Sequence, residues 1–260
     1  MRVSRQVVEA RRSRLTKLLL ERGYLPISEL CEELDVSEAT ARRDLSALES
    51  EERITRTYGG ALGEFNATFT SFRERLREGM DAKESIARTA VSLVKPGMRI
   101  YLDSGTTSHA IAQELRLHLP ERLTIITNNL ALLETLGSLS GAKTILLGGQ
   151  FLERQSALLG EEAVKAAGEQ IIDLAFLSAQ GMTEQGLWNS QRDIVRLQQT
   201  VMKRAERSCF CLDRSKLGRT APEHLTTWSK VGTLVSDISL PELRQVGITL
   251  KPGVLLHSQP

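Results

Sequence analysis

The segment from residue 36 to residue 61 constrains the fold of this chain more than any other. It predicts a capped amphipathic helix followed by a short hairpin with a glycine tip. Ser37 is suited to cap the helix, and Ala41, Leu45 and Leu48 recur on one face at helical spacing. The remaining surface carries short polar side chains and two guanidinium groups, which suit contacts in a DNA groove. The residues expected to face DNA on this helix are Ser37, Thr40, Arg42, Arg43 and Ser46.

The preceding sequence predicts two further helices that pack against this one. A short helix beginning at Ser28 is followed by a tight connection at residues 35–37, which is helix-turn-helix spacing. A longer amphipathic helix at residues 7–22 is expected to end at Gly23. The apolar positions of the two helices are Val8, Leu15, Leu18, Leu19, Ile27, Leu30 and Leu34. Together the three helices predict a small DNA-binding domain.

The hairpin at residues 53–60 is predicted to be the wing of this domain, with Arg56 near a phosphate or the minor groove. The most specific strings are Ser37-x-x-Thr40-Ala41-Arg42-Arg43-Asp44-Leu45, Leu48-Glu49 and Arg56-x-Tyr-Gly-Gly-Ala. They resemble the signature of the DeoR family of bacterial transcription regulators, and the resemblance implies operator DNA as a partner. The family usually has glycine where this chain has Glu52 and histidine where it has Tyr58.

The charge pattern of the first 60 residues supports DNA binding only in part. Eleven Lys and Arg residues balance eleven Asp and Glu residues, so the net charge of this segment is zero. Seven of the cations lie between Arg2 and Arg22, against only Glu9 and Glu21. Two interpretations stay open: the first helix lies along DNA phosphates, or its charges form ordinary solvated faces.

Length and composition exclude several classes of protein. The 260 residues, of which 41% are hydrophobic, are enough for one small and one large domain. A net charge of +2 argues against a protein that coats polyanions. The sequence shows no secretion signal and no apolar run near the roughly 18 residues of a membrane span, so we expect a cytoplasmic protein without membrane contact. The three cysteines, Cys31, Cys209 and Cys211, are expected to be buried core residues rather than metal ligands.

Residues 62–82 are predicted to link a DNA-binding domain at residues 1–61 to an effector-binding domain at residues 83–260. The linker contains Phe65, Phe69 and Phe72, which suit either a docking or dimerisation surface or packing onto the larger domain.

Beyond Lys83 the sequence repeats a pattern of strand, polar turn and helix. Buried strands are predicted at residues 98–102, 123–126, 144–147, 174–177, 209–212 and 233–235. Helices are predicted at residues 83–94, 107–117, 130–136, 162–169 and 193–207. This alternation predicts an α/β domain with a mostly parallel sheet covered on both faces. Ligands of such sheets bind beyond the carboxyl ends of the strands.

The end of the first predicted strand has the features of an anion site. Residues 103–107, Asp-Ser-Gly-Thr-Thr, place one glycine and three hydroxyls where a helix begins, and the free N–H groups of a helix start can hold phosphate oxygens. The segment is neither a Walker A loop nor a dinucleotide fingerprint, so a small molecule with one phosphate fits best. Later strands end in Thr127-Asn128-Asn129, Gly148-Gly149-Gln150 and Asp213-Arg214-Ser215-Lys216. Singly these strings are better explained as a cap, a turn and a solvated loop, whereas together they favour one crevice.

These strings also resemble the larger domain of DeoR regulators, whose fold is similar to ribose-5-phosphate isomerase and CoA transferases and which commonly senses phosphorylated sugars. The resemblance covers residues 7–249. It implies that the effector site contains Asp103, Gly105, Thr106, Thr107, Asn128 and Lys216, and we add Ser104 for its hydroxyl group. The resemblance also places Lys83 near this site.

Two features bear on which ligand the site accepts. The family usually has a Lys-Arg pair where this chain has Gln198 and Gln199, a change that can weaken phosphate binding or alter the sugar phosphate accepted. The loop at residues 181–188 ends in Trp188, whose indole either closes over a ligand or is buried against its own loop.

A sugar-phosphate isomerase with an added DNA-binding domain is the alternative function, since Asp103, Asp213 and Lys216 can in principle supply a base and an electrophile. However, the fourth strand ends in residues 178–181, Ser-Ala-Gln-Gly, where the isomerases carry an acidic run. The four histidines show no triad or metal spacing. We therefore predict no catalytic residue, no metal and no cofactor. The expected protein is a homo-oligomeric regulator, a dimer or tetramer that represses a carbohydrate operon, rather than a ligand-free DNA-organising protein.

Overall fold

The computed structural model describes residues 5–22, 24–50, 54–57, 60–63, 72–137 and 139–258. The chain divides into two compact units, one formed by Met1–Thr70 with Thr220–Pro222 and the other by Ser71–Arg219 with Glu223–Pro260. The segment that the sequence predicts to be a linker, residues 62–82, therefore falls on both units.

The described residues of the first unit form three helices and three short strands. They are α1 (Arg5–Arg22), β1 (Tyr24–Pro26), α2 (Ile27–Leu34), α3 (Glu38–Ser50), β2 (Ile54–Thr57) and β3 (Gly60–Gly63). Strand β3 pairs antiparallel with both β1 and β2. The chain turns from α2 into α3 through Asp35, whose φ of 49° lies in the left-handed region. The helices share a core of buried leucines: Leu15, Leu19, Leu30, Leu45 and Leu48. The predicted winged helix-turn-helix is confirmed.

The second unit is an α/β domain. Its helices are α4 (Phe72–Leu76), α5 (Met80–Val91), α6 (Thr106–Leu117), α7 (Leu130–Leu136), α8 (Glu161–Gly168), α9 (Arg192–Arg204) and α10 (Leu240–Gln245). Its strands are β4 (Arg99–Leu102), β5 (Leu123–Thr127), β6 (Ala142–Leu146), β7 (Gln150–Leu152), β8 (Ala157–Leu159), β9 (Ile172–Leu177), β10 (Gly181–Thr183), β11 (Gly186–Asn189), β12 (Ala205–Cys211), β13 (Glu223–Thr226), β14 (Thr233–Ser236) and β15 (Leu255–His257).

Seven of these strands form one parallel sheet in the order β15-β14-β12-β9-β4-β5-β6. Both faces of the sheet are covered, as β9 shows. Its Ala175 and Leu177 pack into one apolar cluster, whereas Leu174 and Phe176 pack into the cluster on the opposite face. This explains the continuous apolar runs in the sequence. The predicted α/β fold with a mostly parallel sheet is confirmed.

The strand order reverses beside β4. From β4 the chain continues to β5 and β6 on one side, and it later returns to fill the other side with β9, β12, β14 and β15. Loops that leave neighbouring strands in opposite directions open a crevice at such a point. The fold therefore places a binding crevice beyond the carboxyl ends of β4 and β9.

Several elements differ from the prediction. Helix α9 ends at Arg204, and the next residues, predicted to be helical up to residue 207, already belong to β12 because Ala205 pairs with Ile172 of β9. The hairpin β7–β8, the sheet β10-β11-β13, α10 and β15 were not predicted, since segments of three to six residues show too little periodicity. A capping box formed by Ser239 and Glu242 was the available signal for α10.

Candidate functional site

A cavity opens at the point where the strand order reverses. Three strand-end segments supply much of its wall: residues 104–107 after β4, residues 178–180 after β9, and residues 211–213, 215 and 216 around the end of β12. Its volume is about 130 Å³, whereas one water molecule needs roughly 10–15 Å³. The cavity therefore suits a small molecule rather than a polymer.

The start of α6 forms one wall. Thr106 and Thr107, the first two residues of the helix, line the cavity, and the first N–H groups of a helix have no acceptor within it. Gly105 precedes the helix with φ −76° and ψ 157°. A Cβ at Gly105 would lie 2.5 Å from Ser178 Oγ and 2.7 Å from Ser178 Cβ. Close packing between the ends of β4 and β9 thus requires glycine here.

Three cationic side chains line the cavity. Lys83 of α5 donates to the carbonyl oxygens of Arg75 and Glu78, each at 2.5 Å. An ammonium group has three hydrogens, so one is left for a ligand. Lys216, which follows β12, makes no side-chain hydrogen bond to any described residue.

The guanidinium group of Arg75 in α4 is the third cation. Its Nη2 donates to Gln155 Oε1 at 2.5 Å, and its buried Nε has no acceptor within the part of the chain that the structure describes. A buried donor without an acceptor is unfavourable, and a ligand oxygen would satisfy it.

The pKa values of the cavity cations reflect their crowding. Burial lowers the pKa of Lys216, and although Asp213 acts in the opposite direction, Arg75 lowers it further. Burial also lowers the pKa of Lys83, again opposed by Asp213, while Lys216 and Arg75 lower it further. Desolvation and mutual repulsion both disfavour the charged forms, and a bound anion would relieve the repulsion.

The cavity brings together five of the seven predicted effector residues, as well as Lys83. The five are Ser104, Gly105, Thr106, Thr107 and Lys216. Asn128 is not among the lining residues, because the β7–β8 hairpin covers the end of β5. The Asn128 side chain accepts a hydrogen bond from Tyr101 Oη at 2.8 Å and donates one to the carbonyl of Leu158 at 3.1 Å.

Asp103 also lies outside the cavity wall, buried behind it. Its Oδ1 accepts from the backbone N–H of Ser104 at 2.7 Å. Its Oδ2 accepts from the backbone N–H of Ser178 at 2.9 Å and from Ser178 Oγ at 2.7 Å. Asp103 thereby ties the end of β4 to the end of β9.

Gln198 and Gln199 have separate structural roles. The buried Gln198 donates to Asp103 Oδ2 at 2.7 Å and to the carbonyl of Ser178 at 2.8 Å, and it accepts from Asn189 Nδ2 at 3.0 Å. Gln199 donates to the carbonyl of Leu225 at 2.9 Å. Neither glutamine lines the cavity.

Sequence reasoning missed Arg75, Gln155 and Ser178 as lining residues. Arg75 lies in the segment predicted to be a linker. The available signal was Phe72, which is buried and four residues before Leu76, a spacing that marks a short helix. The Phe72 ring packs edge-on against His109 with centroids 6.0 Å apart, so it packs onto the larger domain. Phe65 and Phe69 lie outside the described residues.

The indole of Trp188 packs within its own small sheet. Its Nε1 donates to Thr183 Oγ1 at 2.9 Å, and its ring packs edge-on against the His224 ring with the centroids 4.9 Å apart. Trp188 does not line the cavity. Cys209 and Cys211 are buried in the core as predicted, with their sulfur atoms 3.9 Å apart, and Cys31 is half-buried.

The first unit presents most of the predicted DNA-facing residues on or next to α3. These exposed or half-buried residues are Ser37, Thr40, Arg42, Arg43 and Ser46. Ser37 Oγ lies 3.4 Å from the backbone nitrogen of Thr40, as expected for a helix cap. Arg56 belongs to β2, but its side chain lies outside the described residues, as do Glu52 and Tyr58.

Two groups of ion pairs involve three arginines of this unit, Arg11, Arg12 and Arg42. Arg42 donates from Nε and Nη2 to Glu38 Oε1 at 2.8 and 2.5 Å on the exposed surface of α3. Asp44, which is buried, accepts from Arg11 Nε at 2.5 Å and from Arg12 Nε at 3.1 Å. Part of the positive charge of α1 therefore fixes α1 against α3.

The described residues show neither a metal site nor a membrane-spanning helix. No group of three His, Cys, Asp or Glu side chains is arranged to hold a metal ion. No helix there combines the length and apolar character that spanning a bilayer requires.

Comparison with known proteins connects both units to one family. Residues 78–238 match the family model of the DeoR C terminal sensor domain, and residues 11–64 match that of the DeoR-like helix-turn-helix domain. The chain belongs to the DeoR family. This confirms the resemblance found in the sequence. The region matched to the sensor domain contains Lys83, Ser104 to Thr107 and Lys216, whereas Arg75 lies between the two matched regions.

Relatives of this DeoR-family chain include named regulators. It is 34% identical to the HTH-type transcriptional regulator GolR of Listeria innocua over 87% of its length and 89% of that protein. It is 29% identical to the glycerol-3-phosphate regulon repressor of Escherichia coli over 89% of its length and 91% of that protein. Among solved structures, it is similar to ribose 5-phosphate isomerase A from Methanocaldococcus jannaschii, with 21% identity, a TM-score of 0.39, and coverage of 54% of this chain and 55% of that one.

Proposed function

We propose that this DeoR-family chain is a transcriptional regulator of a carbohydrate operon, and that a phosphorylated sugar or a related anionic metabolite binds in the cavity of its second unit. The observation that carries the proposal is the convergence of Arg75, Lys83 and Lys216 with the start of α6 on one small cavity. Cations and free helical N–H groups are the groups that proteins use to hold phosphate.

The proposed ligand has a phosphate end and a polar end. The cations and the hydroxyls of Thr106 and Thr107 suit a phosphate group. Gln155, Asn189 and Gln180, which also line the cavity, offer amide groups that suit sugar hydroxyls. The small volume limits the ligand to a compact metabolite.

The first unit is proposed to bind operator DNA through α3, with Arg42 and Arg43 in the groove and with Arg56 of the wing near a phosphate or the minor groove. The fold supports this proposal because recognition helices of winged helix-turn-helix domains lie in the major groove. The sign of regulation is proposed to be repression, as in the relative named glycerol-3-phosphate regulon repressor.

The ligand is proposed to act by changing the affinity for the operator. A ligand can do so only if it binds the DNA-bound and free arrangements with different affinities. We propose a homo-oligomer, a dimer or tetramer, because paired DNA heads and paired half-sites are the usual means by which helix-turn-helix proteins reach high affinity.

The effector half is tested by measuring operator binding with and without a panel of sugar phosphates. Lys216→Ala and Thr106→Ala should retain ligand-free operator affinity and lose most of the ligand response. Lys230→Ala, which removes an exposed cation of the same unit, is the matched control and should respond like the wild type. A full ligand response in both site variants would refute the proposed site.

The proposed DNA binding is tested by measuring the affinities of α3 variants for operator DNA and for DNA of random sequence. Arg42→Ala or Arg43→Ala should weaken operator binding by about 1–3 kcal/mol if a bidentate guanine contact is lost. Arg14→Ala, on the exposed face of α1, should instead weaken both DNAs equally if α1 lies along phosphates. Unchanged operator affinity in both α3 variants would refute the assignment of α3.

A further inference from the structure

A buried polar network lies directly behind the cavity and has Gln198 at its centre. The Gln198 amide uses both of its hydrogens and its oxygen in hydrogen bonds to Asp103, Ser178 and Asn189. Its side chain is therefore held in one orientation. Two of its three partners, Ser178 and Asn189, line the cavity.

Among the described residues, the donors to the Asp103 carboxylate in this network are all neutral groups. Its donors are the backbone N–H and the hydroxyl of Ser104, the backbone N–H and the hydroxyl of Ser178, and the Gln198 amide. Such a set of donors suits a carboxylate, which only accepts hydrogen bonds. Because every donor is neutral, the negative charge of Asp103 is stabilised but not cancelled.

This negative charge is felt inside the cavity. Burial lowers the pKa of the cavity-lining Arg75, and the charges of Glu78 and Asp103 act in the opposite direction. Ser104 and Ser178 donate hydrogen bonds to Asp103, and both residues line the cavity. Glu78 and Asp213 also line the cavity. An anion bound among Arg75, Lys83 and Lys216 would therefore be attracted by three cations and repelled by these two carboxylates and by Asp103 behind the wall.

We propose that Gln198 is a specificity-determining residue of the effector site, because its neutral amide orients Asp103 and the ends of β4 and β9 while it leaves the carboxylate charge in place. The inference rests on the proposed function of the cavity. Gln198 acts through Asp103 and is a positioning residue, not a ligand-contacting one. Because the Gln198 amide is neutral, the Asp103 charge limits the affinity of the cavity for an anion. Contacts to sugar hydroxyls therefore contribute a larger part of the affinity for the ligand.

Two substitutions cancel the carboxylate charge by different routes. Gln198→Lys supplies a cation to Asp103. Asp103→Asn removes the charge and keeps the size of the side chain, while it replaces one acceptor oxygen by an NH2 donor. With inorganic phosphate as the probe, calorimetric titration of the full-length protein should show roughly tenfold tighter binding in each variant, as expected for removing one repulsive charge near the site. A role limited to holding the two loops predicts weaker binding in both variants, because both disturb the hydrogen bonds.

Gln199→Lys is the matched control, since it adds the same charge one residue away at a side chain that bonds Leu225 and not Asp103. It should change phosphate affinity less than twofold. Gln198→Met keeps the charge of Asp103, loses the bonds and should bind phosphate more weakly than the wild type. Thermal unfolding shows whether each variant folds. If Gln198→Lys does not fold, the phosphate affinity of Asp103→Asn tests the inference.

The outcomes separate this inference from the proposed function. Suppose that the wild type binds phosphate and Lys216→Ala does not, but that neither Gln198→Lys nor Asp103→Asn binds phosphate more tightly than the wild type. This result overturns the role of Gln198 and leaves the proposed function standing. Equal gains in Gln198→Lys and Gln199→Lys overturn it as well, because the effect is then one of overall charge. No phosphate binding in the wild type or any variant, together with no sugar-phosphate effect on operator binding, overturns the proposed function itself.

Discussion

Gly105→Ala probes the closest approach in the cavity wall. Gly105 joins β4 to α6, and an added Cβ would lie 2.5 Å from Ser178 Oγ and 2.7 Å from Ser178 Cβ. These distances are too short for real atoms, so either the end of β9 or the start of α6 must move. Both segments line the cavity, and the substitution should therefore lower stability and ligand affinity together.

The expected loss of stability follows from two opposing effects. Overpacking of a well-packed site destabilises by about 1–3 kcal/mol. Replacing glycine by alanine at a permissive backbone conformation stabilises by about 0.4–1 kcal/mol through the unfolded chain, and the φ of −76° at Gly105 is permissive. We therefore expect a net loss of about 1–2 kcal/mol in the unfolding free energy of the second unit.

Both tryptophans of the chain, Trp188 and Trp228, lie in the second unit, so tryptophan fluorescence during urea unfolding reports on that unit. Gly148→Ala is the control, because its added Cβ meets no atom within 4 Å among the described residues other than its two chain neighbours. Ser178→Gly removes both clashing atoms, and the double variant should be more stable than the sum of the single effects by about 1 kcal/mol. If Gly105→Ala matches Gly148→Ala, or if the double variant is additive, close packing is not the reason for the glycine.

Two further perturbations test other parts of the chain. Asp44→Ala removes the buried acceptor that Arg11 and Arg12 share, and circular dichroism should show a loss of about 2 kcal/mol in the first unit; Glu38→Ala, which breaks an exposed pair, should change stability by less than about 0.5 kcal/mol. Because burial lowers the pKa of Lys216 in the folded state, the unfolded state binds more protons between that pKa and the ordinary lysine value. Stability should rise with pH across this window. The Lys216→Met variant should lack this contribution in urea titrations, and identical pH slopes in wild type and variant would contradict the pKa shift.

The sequence predicted the long, buried elements of the fold and missed the short ones. The carboxyl-terminal parts of β4, β5, β9 and β12 are buried on both faces of the sheet, so each leaves an apolar run that ends in polar residues. The hairpin β7–β8 leaves no such run, because its six paired residues include exposed positions such as Phe151. That hairpin nevertheless determines the position of the Asn128 side chain. The carbonyl of Leu158 in the hairpin accepts a hydrogen bond from the Asn128 amide, which therefore does not line the cavity.

The same limitation applies to the charges of the site. A sequence shows that Asp103 follows a strand, but not that the strand beside it is β9, whose Ser178 offers a backbone N–H and a hydroxyl to the carboxylate. Once those donors are in place, the Asp103 side chain is held behind the cavity wall, whereas Arg75, Lys83 and Lys216 line the cavity itself. For the same reason Gln198, expected from the sequence to bear on phosphate directly, acts on the carboxylate instead. Strand order, which pattern and spacing do not reveal, thus determines which polar residues line the cavity and which only position those that do.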